Sequence, residues 1–118
     1  MTNHHVDRLL ATVSPDISEL ALRTRALVLD VLPADVLETV GGTDIGYGRT
    51  RGYSGLICVI SLYQRWVNLG LADGASLLDP EGLLQGTGKR HRHMRIAALA
   101  DLERPGLRDL LAAACRTG

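Results

Sequence analysis

The run Leu56-Ile57-Cys58-Val59-Ile60-Ser61-Leu62-Tyr63-Gln64-Arg65-Trp66-Val67-Asn68-Leu69-Gly70-Leu71 reads as two strands and a turn. Leu56 to Tyr63 is apolar on both faces of an extended chain, the pattern of a central strand. Gln64-Arg65 is a tight turn into Trp66 to Leu71, which makes an antiparallel hairpin. Upstream, Val36 to Val40 forms a short strand before Gly41-Gly42, and Ile45 to Gly48 forms a second extended piece. Arg49 to Gly55 is a turn region. Downstream, His93 to Ala98 is the last strand.

Helices bracket this meander. Val6, Leu9, Leu10 and Val13 fall on one helical face. Ser14-Pro15 then supplies a cap and a first-position proline for a second helix, which carries Ile17, Leu20, Ala21, Thr24, Val28 and Val31 to the stop at Pro33. Asp79-Pro80-Glu81 repeats that start and predicts a short helix from Glu81 to Leu84, ended by Gly86. After Asp101 and Pro105, Leu107, Leu110, Leu111 and Ala114 share the face of a terminal helix. Strands in series with helices gathered at the ends indicate an α+β fold. The expectation is one domain over 1–118, with an antiparallel sheet of about five strands covered by N-terminal helices and a C-terminal helix.

Composition narrows the function classes. The 118 residues are 46% hydrophobic, with 13 basic and 13 acidic side chains and no net charge. Global attraction to nucleic acid or to a membrane surface is therefore not expected. No apolar stretch approaches the ~20 residues of a membrane span. Of the 13 basic residues all but Lys89 are Arg, which reads first as codon bias and only weakly as phosphate recognition. Cys58 and Cys115 are the only cysteines. Without a signal peptide they are expected as free, buried thiols in a cytoplasmic protein.

Gly86-Thr87-Gly88-Lys89 invites comparison with a phosphate loop. A nucleotide-binding P-loop needs four residues between its first Gly and its Gly-Lys, then Ser or Thr, with a strand before and a long helix after. Arg90 follows here and a strand comes next, so that reading fails. What remains is a turn whose successive amides can form an anion-binding nest beside Lys89, Arg90, Arg92 and Arg95. His91 and His93 are a pair of metal-ligand types, yet they lack further ligands nearby in sequence and stand among arginines. Tyr47, Tyr53, Tyr63 and Trp66, with Arg49 and Arg51, offer a second constellation in which a sheet face stacks a planar anion. No G-x-S-x-G and no paired carboxylates are present, so no set of residues carries an enzymatic reaction.

The motifs Ile45-Gly46-Tyr47-Gly48, Val67-Asn68-Leu69-Gly70, Gly74-Ala75, Asp79-Pro80-Glu81-Gly82-Leu83-Leu84, Gly86-Thr87-Gly88-Lys89 and Arg92-His93-Met94 occur in an order and spacing that resembles the YdhG-like family of uncharacterised small bacterial proteins. The resemblance runs from about Val6 to Ala114. It implies an α+β domain similar to the fold of secretion chaperones, with no established catalytic residues. One related bacterial protein is described as a frataxin-like iron chaperone, a role that needs a surface rich in carboxylates. The distinctive segment here is cationic instead.

These readings converge on a non-enzymatic domain without a cofactor. It is expected to bind an anionic small molecule or a protein partner through Gly86, Thr87, Gly88, Lys89, Arg90 and Arg92, with Tyr47 or Trp66 as a stacking wall. Iron handling through carboxylates or through His91 and His93 is the alternative, and an enzyme with an unrecognised site is the second alternative. A homodimer is compatible with the sequence.

Overall fold

Two caps set the helical layer of the computed structural model, which describes residues 3–117. The Asn3 side-chain oxygen accepts from the amides of His5 and Val6 at the start of α1 (His4–Leu10). Ser14 accepts from the Ile17 amide at 3.3 Å to start α2 (Pro15–Val31), with Pro15 where its missing N–H costs nothing. Leu32 is already extended (φ −76°, ψ 157°), the conformation that a following proline imposes. Thr24, fully buried within α2, returns its hydroxyl proton to the Leu20 carbonyl at 2.7 Å and so leaves no unpaired donor.

The described residues then form a five-stranded antiparallel meander in the order β1-β2-β3-β4-β5. Its strands are β1 (Leu37–Gly41), β2 (Asp44–Gly48), β3 (Leu56–Leu62), β4 (Val67–Leu71) and β5 (Arg92–Ile96). The predicted hairpin is present, with Cys58 opposite Leu71 and Leu62 opposite Val67. The Tyr63 amide closes it on the Trp66 carbonyl at 3.0 Å, so Trp66 ends the turn and β4 starts one residue later than its sequence suggests. Between β2 and β3 the register slips, and Ile57 becomes the extra residue of a bulge.

Alternation divides the sheet. Ile45, Tyr47, Cys58, Ile60, Leu62, Val67, Leu69, Leu71, Met94 and Ile96 are buried on one face. Against them pack Val6, Leu9 and Leu10 of α1, Ile17, Leu20, Ala21 and Val28 of α2, and Leu107, Leu110, Leu111 and Ala114 of α3 (Leu107–Thr117). The terminal helix thus buries the face that its leucine spacing predicts. The opposite sheet face presents Thr39, Val59, Ser61, Asn68, His93 and Arg95, all partly or fully exposed. Both thiols are free, with Cys58 buried and Cys115 half-buried rather than buried as expected. No helix among the described residues is long and apolar enough to cross a membrane.

The predicted helix from Glu81 to Leu84 is absent. The Gly82 amide bonds back to the Asp79 carbonyl at 3.1 Å, which makes a reverse turn with proline at its second position and glycine at its fourth. Gly82 then takes φ +64°, and the Asp79 carboxylate accepts the amides of both Leu83 and Leu84 at 2.9 Å. Asp79 is therefore a cap without a helix. Four residues cannot nucleate one when a left-handed glycine redirects the chain and a side chain takes the amides.

One polar cluster lies inside this otherwise apolar layer. Glu38 of β1 points toward the helices with only 5% of its side chain exposed. Arg25 of α2 grips it with two bonds, Nε to Oε2 at 2.7 Å and Nη2 to Oε1 at 2.9 Å. The Tyr47 hydroxyl of β2 donates to Oε2 at 2.6 Å, and Asn3, the α1 cap, donates its amide to Oε1 at 3.0 Å. Burial by itself raises the Glu38 carboxyl, but the bonds from Arg25, Tyr47 and Asn3 outweigh it and hold the group below its ordinary 4.5. Burial first, and then the Glu38 charge, push the Tyr47 phenol far above its usual range, so it remains a donor.

Because the folded carboxyl is the stronger acid, its contribution is fully present above pH 4.5 and disappears as pH falls through the lower folded value. Glu38→Gln, which removes the buried carboxylate that Arg25 grips with two bonds, is expected to lower unfolding stability by about 3 kcal/mol at neutral pH. Tyr47→Phe is expected to cost about 2 kcal/mol, as for the loss of one bond to a charged acceptor. Denaturant titration at pH 7 and again below pH 4.5 measures both, with the Glu38→Gln penalty shrinking on the acid side.

Candidate functional site

The cationic segment wraps the free edge of β5. Gln85 forms a single bridge to that edge, donating its amide to the His93 carbonyl at 2.7 Å and accepting the His93 amide at 3.1 Å. Gly86 turns away with φ +111°, a value that side-chain-bearing residues rarely adopt. The chain then loops through Thr87, Gly88 and Lys89, all exposed, and rejoins the sheet at Arg92. The Ala75 amide bonds to the Arg90 carbonyl at 2.9 Å and fixes the returning arm. Among the described residues, the amides of Gly86, Thr87 and Gly88 donate to nothing within the protein.

The basic side chains differ in commitment. Arg90 contacts Asp73 Oδ1 at 2.9 Å through both Nε and Nη2, an exposed pair of little energetic weight. Arg92 is half-buried and donates Nη1 to the Gly88 carbonyl at 2.8 Å, so it braces the loop. Lys89 is exposed and has no ion pair or hydrogen bond among the described residues. Asp73 was not part of the expected set. It lies 17 residues from Arg90 in sequence, and only the path of the loop brings the two together.

The expected stacking wall is not built beside this loop. Tyr47 is fully buried on the helix-covered face and bonded to Glu38, because strand alternation in β2 points it inward. Arg49 donates to the Cys115 carbonyl of α3 and does not align with Tyr47. The side chain of Tyr53 lies outside the described residues. Trp66 is half-buried at the far end of β5, where Val67 pairs with Ile96. There the Arg95 guanidinium carbon sits 3.9 Å from the Trp66 ring centre, and the Tyr63 ring lies 5.8 Å from it. The hairpin register sets Tyr63 beside Trp66, and the β5 alternation sets Arg95 on the same face, so both partners could have been read from the sequence.

Both histidines of the segment pack near glycines. The His91 ring packs against Gly70, where a Cβ would stand 2.6 Å from its Nε2. His93 leans toward Gly86. Among the described residues no group of three or more His, Cys, Asp or Glu side chains converges, so the residues present do not fit an iron site. Burial holds the Cys58 thiol protonated, as in an inert core cysteine. A wide cleft of about 1080 Å³ between α2 and residues 99–109 carries charges of both signs, including Arg23, Asp30, Glu103 and Arg108. It contains none of the expected site residues.

His91 makes a measurable claim of its own. Its Nδ1 is buried without a hydrogen-bond partner among the described residues, and burial, followed by the neighbouring His93, lowers its pKa from 6.5. Below 6.5 the unfolded chain takes up a proton that the folded one resists, so stability falls with acidification. The thermal midpoint is expected to drop between about pH 7 and pH 5, and the drop is expected to be smaller in His91→Asn. Parallel slopes for the two proteins would remove His91 as the cause.

No family model, curated protein or solved structure matches this chain.

Proposed function

We propose that this chain is a YdhG-like binding domain, without catalytic activity, that captures an acidic segment of a protein partner on the loop and strand from Gly86 to Arg95. The observation that carries the reading is the uncommitted state of the loop tip. Gly86 to Lys89 are exposed, and among the described residues the Gly86, Thr87 and Gly88 amides and the Lys89 ammonium donate to no partner. Amides with free donors, next to a lone ammonium, are complementary to carboxylates. Arg92 and the Gln85 bridge hold this tip in place, which lowers the ordering cost of an encounter.

The shape of the site favours a protein over a small ligand. Small-molecule sites are concave and enclose most of their ligand. The Gly86–Lys89 tip is instead exposed along its whole length at a sheet edge. Charge at such a surface acts on encounter rate and orientation, and its effect weakens as salt is added.

A deca-glutamate peptide is the direct probe, with inorganic phosphate as the small-anion control. Calorimetry at low salt is expected to show saturable peptide binding that weakens as salt rises, and little or no phosphate binding. Lys89→Glu with Arg90→Glu is expected to weaken the peptide at least about tenfold while stability stays within about 0.5 kcal/mol, as is usual for exposed sites. Arg92 is left intact in this variant because it braces the loop. Undiminished affinity in the double variant, or no binding by the parent, would overturn the reading. Phosphate binding as tight as the peptide would point to a small anion instead.

A further inference from the structure

A second surface, independent of the cationic edge, lies where residues 76–83 cross α3. Leu78 is 91% exposed there, far more than Leu22, Leu37, Tyr63 or Leu99. It stands on the rim of a cleft of about 430 Å³ whose apolar walls include Leu77, Pro80, Leu83, Leu110 and Ala113. A single exposed leucine is ordinary on a protein surface. A protruding leucine beside an apolar hollow is a surface shaped to receive its own copy.

Asp79 and Glu81 also line the cleft, Asp79 with its carboxylate taken by the Leu83 and Leu84 amides and Glu81 against Gly106. The two charges on α3 are self-complementary. Asp109 and Arg116 both line the cleft from that helix. They are two helical turns apart, about 10.5 Å along the axis, with Ala112 and Ala113 midway between them. Among the described residues neither forms an ion pair within the chain. A two-fold axis perpendicular to α3 runs the helix antiparallel to its copy. The acid of each then faces the base of the other, while the alanines allow close approach at the centre.

We propose that this face is a symmetric dimer interface between two copies of the chain. Leu78 of each copy enters the other's cleft, and Asp109 and Arg116 pair reciprocally across an axis near Ala113. Such an interface is self-complementary and closed, so it ends at two subunits.

Sedimentation velocity on the full chain tests this at about 100 μM, above the micromolar Kd that a modest interface reaches. The parent is expected at twice its 12.7 kDa mass. Leu78→Asp is expected to run as a folded monomer with the parent's circular dichroism, since Leu78 makes little contact within its own chain, and to lose the concentration dependence of the parent's thermal midpoint. Asp109→Arg is expected to weaken the dimer at least about tenfold, and Asp109→Arg with Arg116→Asp to restore it. A monomeric parent would overturn the proposal, as would a dimer that survives Leu78→Asp or is not restored by the double exchange.

Discussion

A single carboxylate, buried where an edge strand meets two helices, constrains the arrangement of this fold. Glu38 is ionised beneath α2, with Arg25, Tyr47 and Asn3 each supplying a donor. An ionised carboxylate in that position is strongly unfavourable unless its oxygens are satisfied. The requirement ties α2, β1, β2 and the start of α1 to one another with bonds that demand direction, which hydrophobic burial does not. A slip of one residue in β1 would send Glu38 to the opposite face and break its bonds to Arg25, Tyr47 and Asn3. The apolar core provides cohesion, and this network specifies which arrangement coheres.

From that anchored edge the meander runs to the other, where the proposed binding surface lies. β1 is pinned by the Glu38 network, whereas among the described residues the free edge of β5 is bridged at His93 by Gln85. Exposed strand edges invite pairing with other chains, and positive side chains discourage it. Lys89, Arg90, Arg92 and Arg95 can therefore serve both purposes at once. Their charge disfavours pairing with neutral strands, and on the proposed function it also attracts acidic segments. The helix-free sheet face beside them holds Trp66, Asn68 and His91, each with one buried polar atom that lacks a partner among the described residues.

Much of the fold was legible because its signals are local. Ser14-Pro15 at the start of α2, the two-residue turn after Tyr63, the alternation through Met94 and Ile96, and the leucine spacing of α3 each depend on residues within a turn or two. The Glu38 network was not legible. Its partners lie 35, 13 and 9 residues away, and nothing around Glu38 distinguishes it from an exposed strand glutamate. Tyr47 was misread for the same reason, since a tyrosine suits a stacking surface as well as a core donor. Asp79-Pro80 failed differently: one cap signature opens both a helix and a reverse turn, and Gly82 decided for the turn. At the cationic edge the sequence located the charge correctly but could not show that Arg92 braces the loop or that Arg90 reaches Asp73.

The ionisation of Glu38 can be observed directly by carbon-detected NMR titration of its carboxyl in the folded protein. A network that holds the charge puts the midpoint below 4.5, and removing the guanidinium in Arg25→Met moves it upward as burial takes over. A Glu38 carboxyl that titrates at or above 4.5 in the intact chain would mean that the buried charge is not the constraint that orders this fold.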